Sequence, residues 1–410
     1  MIDQYRGLPR QVYILMTARL IIAMGTFVFP FLTMFLSSRM DMTDQEVSRY
    51  LLLVALVQIP ANLLGGKLAD RFNRKRVYGT ALLLSAGFFT CSGFFCDQAF
   101  VVYLILVGYF FSNIGQPILS AMMMDVTNEK NRQESFSLIY LGFNIGYAVG
   151  PLVAGLLFEN HTPWIFWGQA LLTATAVALI WTLSAKAQPQ KDQLPTGASQ
   201  SPAAKVSLWS LLRRDPVMLC FALFLTCYSL AYSQISYLMP LDLEQVQGIS
   251  AAAKSVSLIW SFNGAVVFLG SPIVVLLTKK YPAVVNTAVG GVIYMLAFGS
   301  VAFTGGRMTL ILPLVLVWTV AEILCNTNSG VFIANHAPAT HRARYQSVYD
   351  LTHNLGKALG PLVMGFYLGI GHTYHQGWLF VAIICGLAAL GLALLQRRLV
   401  RQADTKAEKS

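Results

Sequence analysis

Charge is what this chain has least of. Of its 410 residues only 11% are Asp, Glu, Lys or Arg, while 56% are hydrophobic, and the mean hydropathy is +0.59. A water-soluble domain usually carries about 25% charged residues, so a soluble globular protein is excluded. Cysteine is scarce too. The six thiols, Cys91, Cys96, Cys220, Cys227, Cys325 and Cys385, all fall in apolar runs with no Cys-x-x-Cys pair, which leaves no disulfide framework or thiolate metal site to expect. The six histidines do not cluster: His372 and His375 share a loop, but two ligands do not make a metal site. Neither His-Glu-x-x-His nor a phosphate-binding loop occurs, and Ser, His and acid residues stand at no catalytic spacing. An intramembrane hydrolase and an ATP-driven pump therefore lack their chemistry.

Long apolar runs are what the chain has in quantity. A bilayer core needs roughly 20 apolar residues per helical span, and twelve stretches qualify: 12–37, 49–69, 77–96, 99–125, 133–158, 162–185, 216–241, 252–278, 282–303, 309–334, 343–370 and 377–396. They are continuous, not alternating segments of about ten residues, which excludes a β-barrel. The stretch before span 1 is short and the span itself long, so no removable signal peptide is expected. The expected fold is an all-α membrane protein of twelve transmembrane helices.

Basic residues orient those helices. With the N-terminus in the cytoplasm, Arg39, Arg49, Lys254 and Arg307 fall outside, Arg19 and Lys357 fall within spans, and the rest of the 29 Lys and Arg lie inside. Acids divide more evenly. The net charge of +11 is thus a topological signal, and its bases are too scattered for nucleic acid. Both termini are expected in the cytoplasm.

The one long polar stretch between spans, Lys186 to Val206, cuts the chain into two groups of six. The expected organisation is a first half over 1–185, a linker over 186–215, a second half over 216–396 and a basic tail over 397–410. The linker's end, Ser207 to Asp215, reads as a short interfacial helix. The halves repeat at an offset of 210. NIGYAVGPLVAG from Asn144 matches NLGKALGPLVMG from Asn354 at eight of twelve positions, and the same offset pairs Arg132 with Arg342, Ser137 with Ser347 and Pro30 with Pro240. Two like halves that rock about a central site are a transporter architecture.

Between spans 2 and 3 lies Gly65 to Arg76, GGKLADRFNRKR. A turn this charged cannot sit in hydrocarbon. It resembles the loop signature G-x-L-A-D-R-x-G-R-K of the major facilitator superfamily, departing at Asn73, which also tolerates a left-handed turn. Gly146, Gly150, Pro151 and Gly155 in span 5 resemble that superfamily's antiporter signature, and the twelve-span drug:proton antiporters are the subgroup most similar overall. The resemblance implies an inner-side latch of Gly66, Asp70, Arg71, Arg74, Asp125 and Arg132. Gly146, Gly150, Pro151, Gly356, Gly360 and Pro361 mark where helices touch and flex, since Gly permits close approach and Pro breaks the backbone ladder; only the resemblance makes them a sign of antiport. The second half keeps only Thr278-Lys279-Lys280-Tyr281-Pro282 at the matching loop, so one latch is expected. Span 4, LILVGYFFSNIGQP, has no base where the family often carries Arg.

An ionisable group at a span centre costs on the order of 2.5 kcal/mol or more. Arg19, Glu322, Asp350, His353 and Lys357 are placed so, and form the candidate proton-coupling set. Asp350, Asn354 and Lys357 share a helix face at i, i+4 and i+7. The repeat sets Ser112 against Glu322, Tyr147 against Lys357 and Ser229 against Arg19, so none of these charges is mirrored and the scaffold folds without them; a task explains them, with a structural ion pair of Glu322 and Lys357 as the alternative. Asn113, Gln116, Asn144, Tyr228, Tyr232, Gln234, Tyr237, Asn263, Asn326, Asn328 and Asn354 are the candidate cavity residues. The expected function is proton-coupled export of small amphipathic organic compounds by alternating access. A proton-coupled importer of a metabolite or short peptide is the alternative, since one acid and two bases suit a zwitterion; a non-transporting receptor would need soluble domains. The expected partners are a small-molecule substrate and membrane lipid. No cofactor beyond the proton is expected, and a monomer in a bacterial inner membrane.

Overall fold

Hydrocarbon offers no partner to a peptide N–H or C=O, so a crossing segment must close its own hydrogen bonds. The computed structural model describes residues 7–128, 131–182, 215–337 and 342–407, and their regular secondary structure is entirely helical. Spans 1 to 6 are Arg10–Met24 with Val28–Ser38, Asp44–Arg71, Arg74–Phe94, Val101–Val126, Arg132–Phe158 and Thr162–Trp181. Spans 7 to 12 are Pro216–Tyr232 with Leu238–Gln247, Ile249–Thr278, Ala283–Val301, Met308–His336, Arg342–Gly369 and Tyr374–Ala407. Twelve spans were expected; eleven of these helices are both long and apolar enough to cross a membrane. Span 11 is long enough at 28 residues, but Asp350, His353, Asn354 and Lys357 follow within two turns. Such a helix is stable at membrane depth only with its polar stripe turned from lipid. Span 12 continues as helix through the basic tail to Ala407. The interfacial helix expected over 207–215 lies outside the described residues except for Asp215.

Both halves open with a broken helix. Span 1 interrupts at Gly25 to Phe27 and span 7 passes through a 3-10 turn at Ser233–Ile235. Pro30 and Pro240 follow each break, and a proline clashes with the carbonyl four residues before it. In span 1 the freed donors have a partner on span 6: Gln169 Oε1 accepts from the N–H groups of Phe27 at 3.2 Å and Val28 at 3.0 Å.

Polar residues cap helices where the chain turns. Thr43 and Glu46 form a reciprocal capping box at span 2, and the Asn73 side chain accepts from Arg76 N–H at 3.1 Å to start span 3.

Two compact units form. The first joins Met1–Pro189 to Met239–Phe268 and the second joins Gln190–Leu238 to Leu269–Ser410, so the units do not follow the sequence halves. In the first unit the later part of span 7 and most of span 8 pack on spans 1 and 5. Gly155 leaves no room for a Cβ beside Ser257, and Gly264 lies against Ala148. Ser250 donates to Glu159, Ser37 donates to Glu244 at 3.1 Å, and Tyr147 meets Trp260 edge-on at 5.7 Å. The second unit is built on aromatic stacking, with Phe221 on Phe332 at 4.0 Å and Phe298 between Tyr294 and Trp318.

Lipid is as apolar as a leucine side chain, so helices associate through close packing at small residues. Cβ atoms at Gly146 and Gly150 would meet the backbone of Leu20 and Met24; at Gly356 and Gly360 they would meet Thr226, Leu230 and Ser233. These contacts keep the 210 offset between spans 5 and 1 and between spans 11 and 7. The helices run unbroken through Pro151 and Pro361.

The Gly65-Gly66 pair separates packing from motif. Gly65 is buried, with Ile114 backbone and Pro117 in the way of any Cβ, whereas Gly66 faces open space. Gly65→Val is expected to cost about 1–3 kcal/mol or more by overpacking and to lower the melting temperature of the purified protein. Gly66→Ala should leave that temperature unchanged or raise it, because alanine is the better helix former.

Candidate functional site

Within the second unit, spans 7, 9, 10 and 11 enclose a cavity of about 40 Å³ lined by Tyr228, Ser229, Tyr232, Glu322, His353 and Lys357 among others. A water needs about 10–15 Å³ of such space, so about three or four fit and a drug-sized molecule does not. Helix geometry explains the lining. Glu322, Cys325 and Ser329 share one face of span 10; Tyr349, His353 and Lys357, at steps of four, share one face of span 11.

Glu322 and Lys357 both line this space and interact electrostatically. His353 stands one turn before Lys357, with its Nδ1 hydrogen-bonded to Ser229 Oγ at 2.8 Å and its ring stacked on Tyr349 at 5.8 Å. The Tyr228 hydroxyl sits where Gly291 has no side chain. It is buried without a hydrogen-bond partner among the described residues, which costs about 1–3 kcal/mol unless a guest or solvent supplies one. An acid, a base, an imidazole and an unserved hydroxyl in a water-sized space can hold and pass a proton.

The remaining candidates are dispersed. Asp350 is exposed, outside the cavity, and accepts from Gln346 at 3.0 Å; Asn354 is exposed beside it. The cavity face of span 11 is thus turned by one residue from the Asp350, Asn354, Lys357 face expected from the sequence. The exposed Asn326 lines the cavity. Asn328 instead accepts from Asn286 at 2.9 Å and ties span 10 to span 9. Asn113, Asn144 and Gln234 each donate to a carbonyl one turn back, at 2.8, 2.8 and 3.0 Å. Tyr237 and Asn263 are buried away from the cavity. Ser229, Tyr294, Cys325, Ser329 and Tyr349 line it without having been singled out, because a search for charge at membrane depth passes over them. Helical spacing from Glu322 and His353 would have found three of the five.

In the first unit, Arg19 Nη1 donates to Gln116 Oε1 at 3.2 Å and its guanidinium carbon lies 4.6 Å from the centre of the Phe143 ring. At the charged loop, Arg74 pairs with Asp125 at 2.5 Å and also donates to Ala121 O at 3.2 Å, while Lys75 donates to Trp181 O at 2.8 Å. Asp70 and Arg71 are exposed, with no ion-pair partner among the described residues. The Arg132 side chain lies outside the described residues.

A second polar knot ties the second unit where span 7 begins. Asp215 caps that helix by accepting from Met218 N–H at 3.0 Å, and its other oxygen takes His336 Nε2 at 2.8 Å and the Tyr345 hydroxyl at 2.7 Å. Spans 7, 10 and 11 are thereby joined. Burial works to raise this carboxyl, but the bonds from His336, Met218 and Tyr345 outweigh it and bring the pKa down to about 2.

The family model described as Major Facilitator Superfamily matches residues 15–361. The chain is similar to a Na(+), Li(+), K(+)/H(+) antiporter of Planococcus maritimus, at 23% identity over 85% of this chain and 87% of the relative. It is also similar to the multidrug resistance protein MdtH of Escherichia coli O157:H7 (strain EC4115 / EHEC), at 22% identity over 98% of each. Among solved structures, that of the nucleoside transporter NupG has a TM-score of 0.77 at 17% identity, over 94% of this chain and 99% of that one; the likeness is one of fold.

The Asp215 knot has a pH signature. A carboxyl held near 2, against the ordinary 3.8, contributes stability that is whole above the ordinary value and is lost as pH falls through the folded one. Asp215→Asn should therefore melt below the parent at neutral pH, and the gap should close between pH 3.8 and about 2. Paired thermal melts across that range check it.

Proposed function

This chain belongs to the Major Facilitator Superfamily and is a membrane transporter, not an enzyme; on that premise we propose that it exchanges protons for small amphipathic organic compounds and carries the compounds out of a bacterial cell. One observation carries the reading. Glu322, His353 and Lys357, drawn from two spans, converge on one water-sized cavity although the repeat mirrors none of them. A charge at membrane depth is costly, and one that the scaffold does not need is best accounted for by its task.

The cavity's volume favours the proton over the whole substrate as its occupant. Ligand pockets run to about 300–1,000 Å³, far above the space here. Glu322 is the proton carrier of this reading. It is ionised while Lys357 or a cationic group faces it, and protonated once that charge is withdrawn. Ser229 fixes the His353 ring through the bond at Nδ1, which leaves Nε2 as the ring nitrogen that takes up and releases a proton in the cavity it shares with Glu322. The names of the two relatives, a cation/proton antiporter and a multidrug resistance protein, support exchange and an amphipathic cargo.

Everted vesicles loaded with a lipophilic dye under an imposed pH gradient test this. The parent protein should concentrate the dye, and Glu322→Gln should lose the uphill component by about a hundredfold or more, the scale of removing a proton-transfer group, while downhill equilibration of the dye persists. Undiminished uphill transport in Glu322→Gln sinks the proposal.

A further inference from the structure

Arg19 stands in the middle of the first helix of span 1, packed by spans 4 and 5. Its partners among the described residues are neutral: the Gln116 amide, the face of Phe143 and, at longer range, the Tyr78 phenol. Spans 4 and 5 carry two acids, Asp125 and Glu134. Asp125 closes span 4 and is engaged by Arg74. Glu134 lies in the first turn of span 5, nine residues and roughly 13 Å from Phe143. A guanidinium has five N–H donors and does not give up its charge in proteins, and this one makes a single hydrogen bond among the described residues.

The repeat shows that packing does not call for the charge. The 210 offset places Ser229 at the position of Arg19, Asn326 at that of Gln116 and His353 at that of Phe143. Those residues meet in the second unit too, where Ser229 and His353 share a hydrogen bond at 2.8 Å and Asn326 lines the same cavity. One framework thus carries an acid–base cavity in the second unit and an unneutralised cation in the first.

We propose that Arg19 is a binding residue for the carboxylate of the transported compound, so that the cargo is an amphipathic organic acid. This rests on the transport reading above and names its substrate class. The planar guanidinium fork matches a carboxylate through two parallel hydrogen bonds, which a point charge cannot do. Beside the fork, Phe143 and Tyr147 stack at 5.6 Å and offer an aromatic wall to the apolar part of the acid. Gln116 takes one N–H, from Nη1; the donors on Nε and Nη2, which have no hydrogen-bond acceptor among the described residues, are the ones the ligand would use.

The test is a binding titration with the full chain in phosphatidylcholine nanodiscs, using naphthoate and its uncharged isostere naphthamide as probes. The parent should bind naphthoate about 10- to 100-fold more tightly than naphthamide, the worth of a charge-assisted hydrogen-bonded pair. Arg19→Gln should abolish that preference without weakening naphthamide. Arg19→Lys, the second variant if the glutamine form does not fold, should retain charge preference but bind naphthoate less tightly than the parent. Equal binding of acid and amide by the parent overturns the proposal, as does a preference that survives in Arg19→Gln or is undiminished in Arg19→Lys. Displacement of naphthoate by added phosphatidylglycerol assigns the site to a lipid headgroup and overturns it as well. The titration is run with no pH gradient, so its outcome does not depend on proton coupling, and failure of the anion site is distinguished from failure of the dye-transport test above.

Discussion

Helices in lipid gain little from hiding leucine from leucine, so this bundle depends on how closely backbones approach at a few glycines. Gly146 and Gly150 set span 5 against the Leu20 to Met24 turn of span 1, and Gly356 and Gly360 repeat the contact between spans 11 and 7. Each contact brings a helix face to the partner's carbonyls and brings the next face along with it. Arg19 reaches Phe143, and Ser229 reaches His353, because these glycines let the helices touch. The polar chemistry of both units is therefore a consequence of where a side chain is missing.

The two halves use that shared framework differently. In the second unit an acid, a base and an imidazole surround a space that fits water; in the first, a lone guanidinium lies between an amide and a ring. Duplication supplies two equivalent positions, and the cost of charge at membrane depth keeps either from acquiring one without a use. Outside the spans, polar residues act as ties. Arg74 with Asp125 and Asp215 with His336 and Tyr345 each join helix ends within one unit. The charged loop that marks the family in the sequence is, in the structure, a junction of spans 2, 3 and 4 through Arg74, with Asp70 left exposed.

Much of the fold was legible in the chain. Apolar runs of the length of a bilayer, one polar linker and a twelve-residue repeat state the helices, their number and their duplication, because hydrocarbon admits so few alternatives. Of the site, the intramembrane charges were legible because they are rare. Asp350 and Asn354 show where that reasoning stops: helical spacing told that they share a stripe with Lys357, and a rotation of one residue left them outside the cavity that Tyr349 and His353 enter.

By itself the sequence determined the all-helical membrane architecture, the repeat and the short list of charges that need a reason. Tertiary structure decided which of those charges meet. Glu322 and Lys357 are 35 residues apart on different helices, and no local pattern relates their faces. Their encounter depends on the azimuth at which each helix packs: Gly356 and Gly360 set span 11 against span 7, while Gly290 and Asn286 of span 9 hold span 10 at Cys325 and Asn328, and residue types along one helix do not name the partner it will meet.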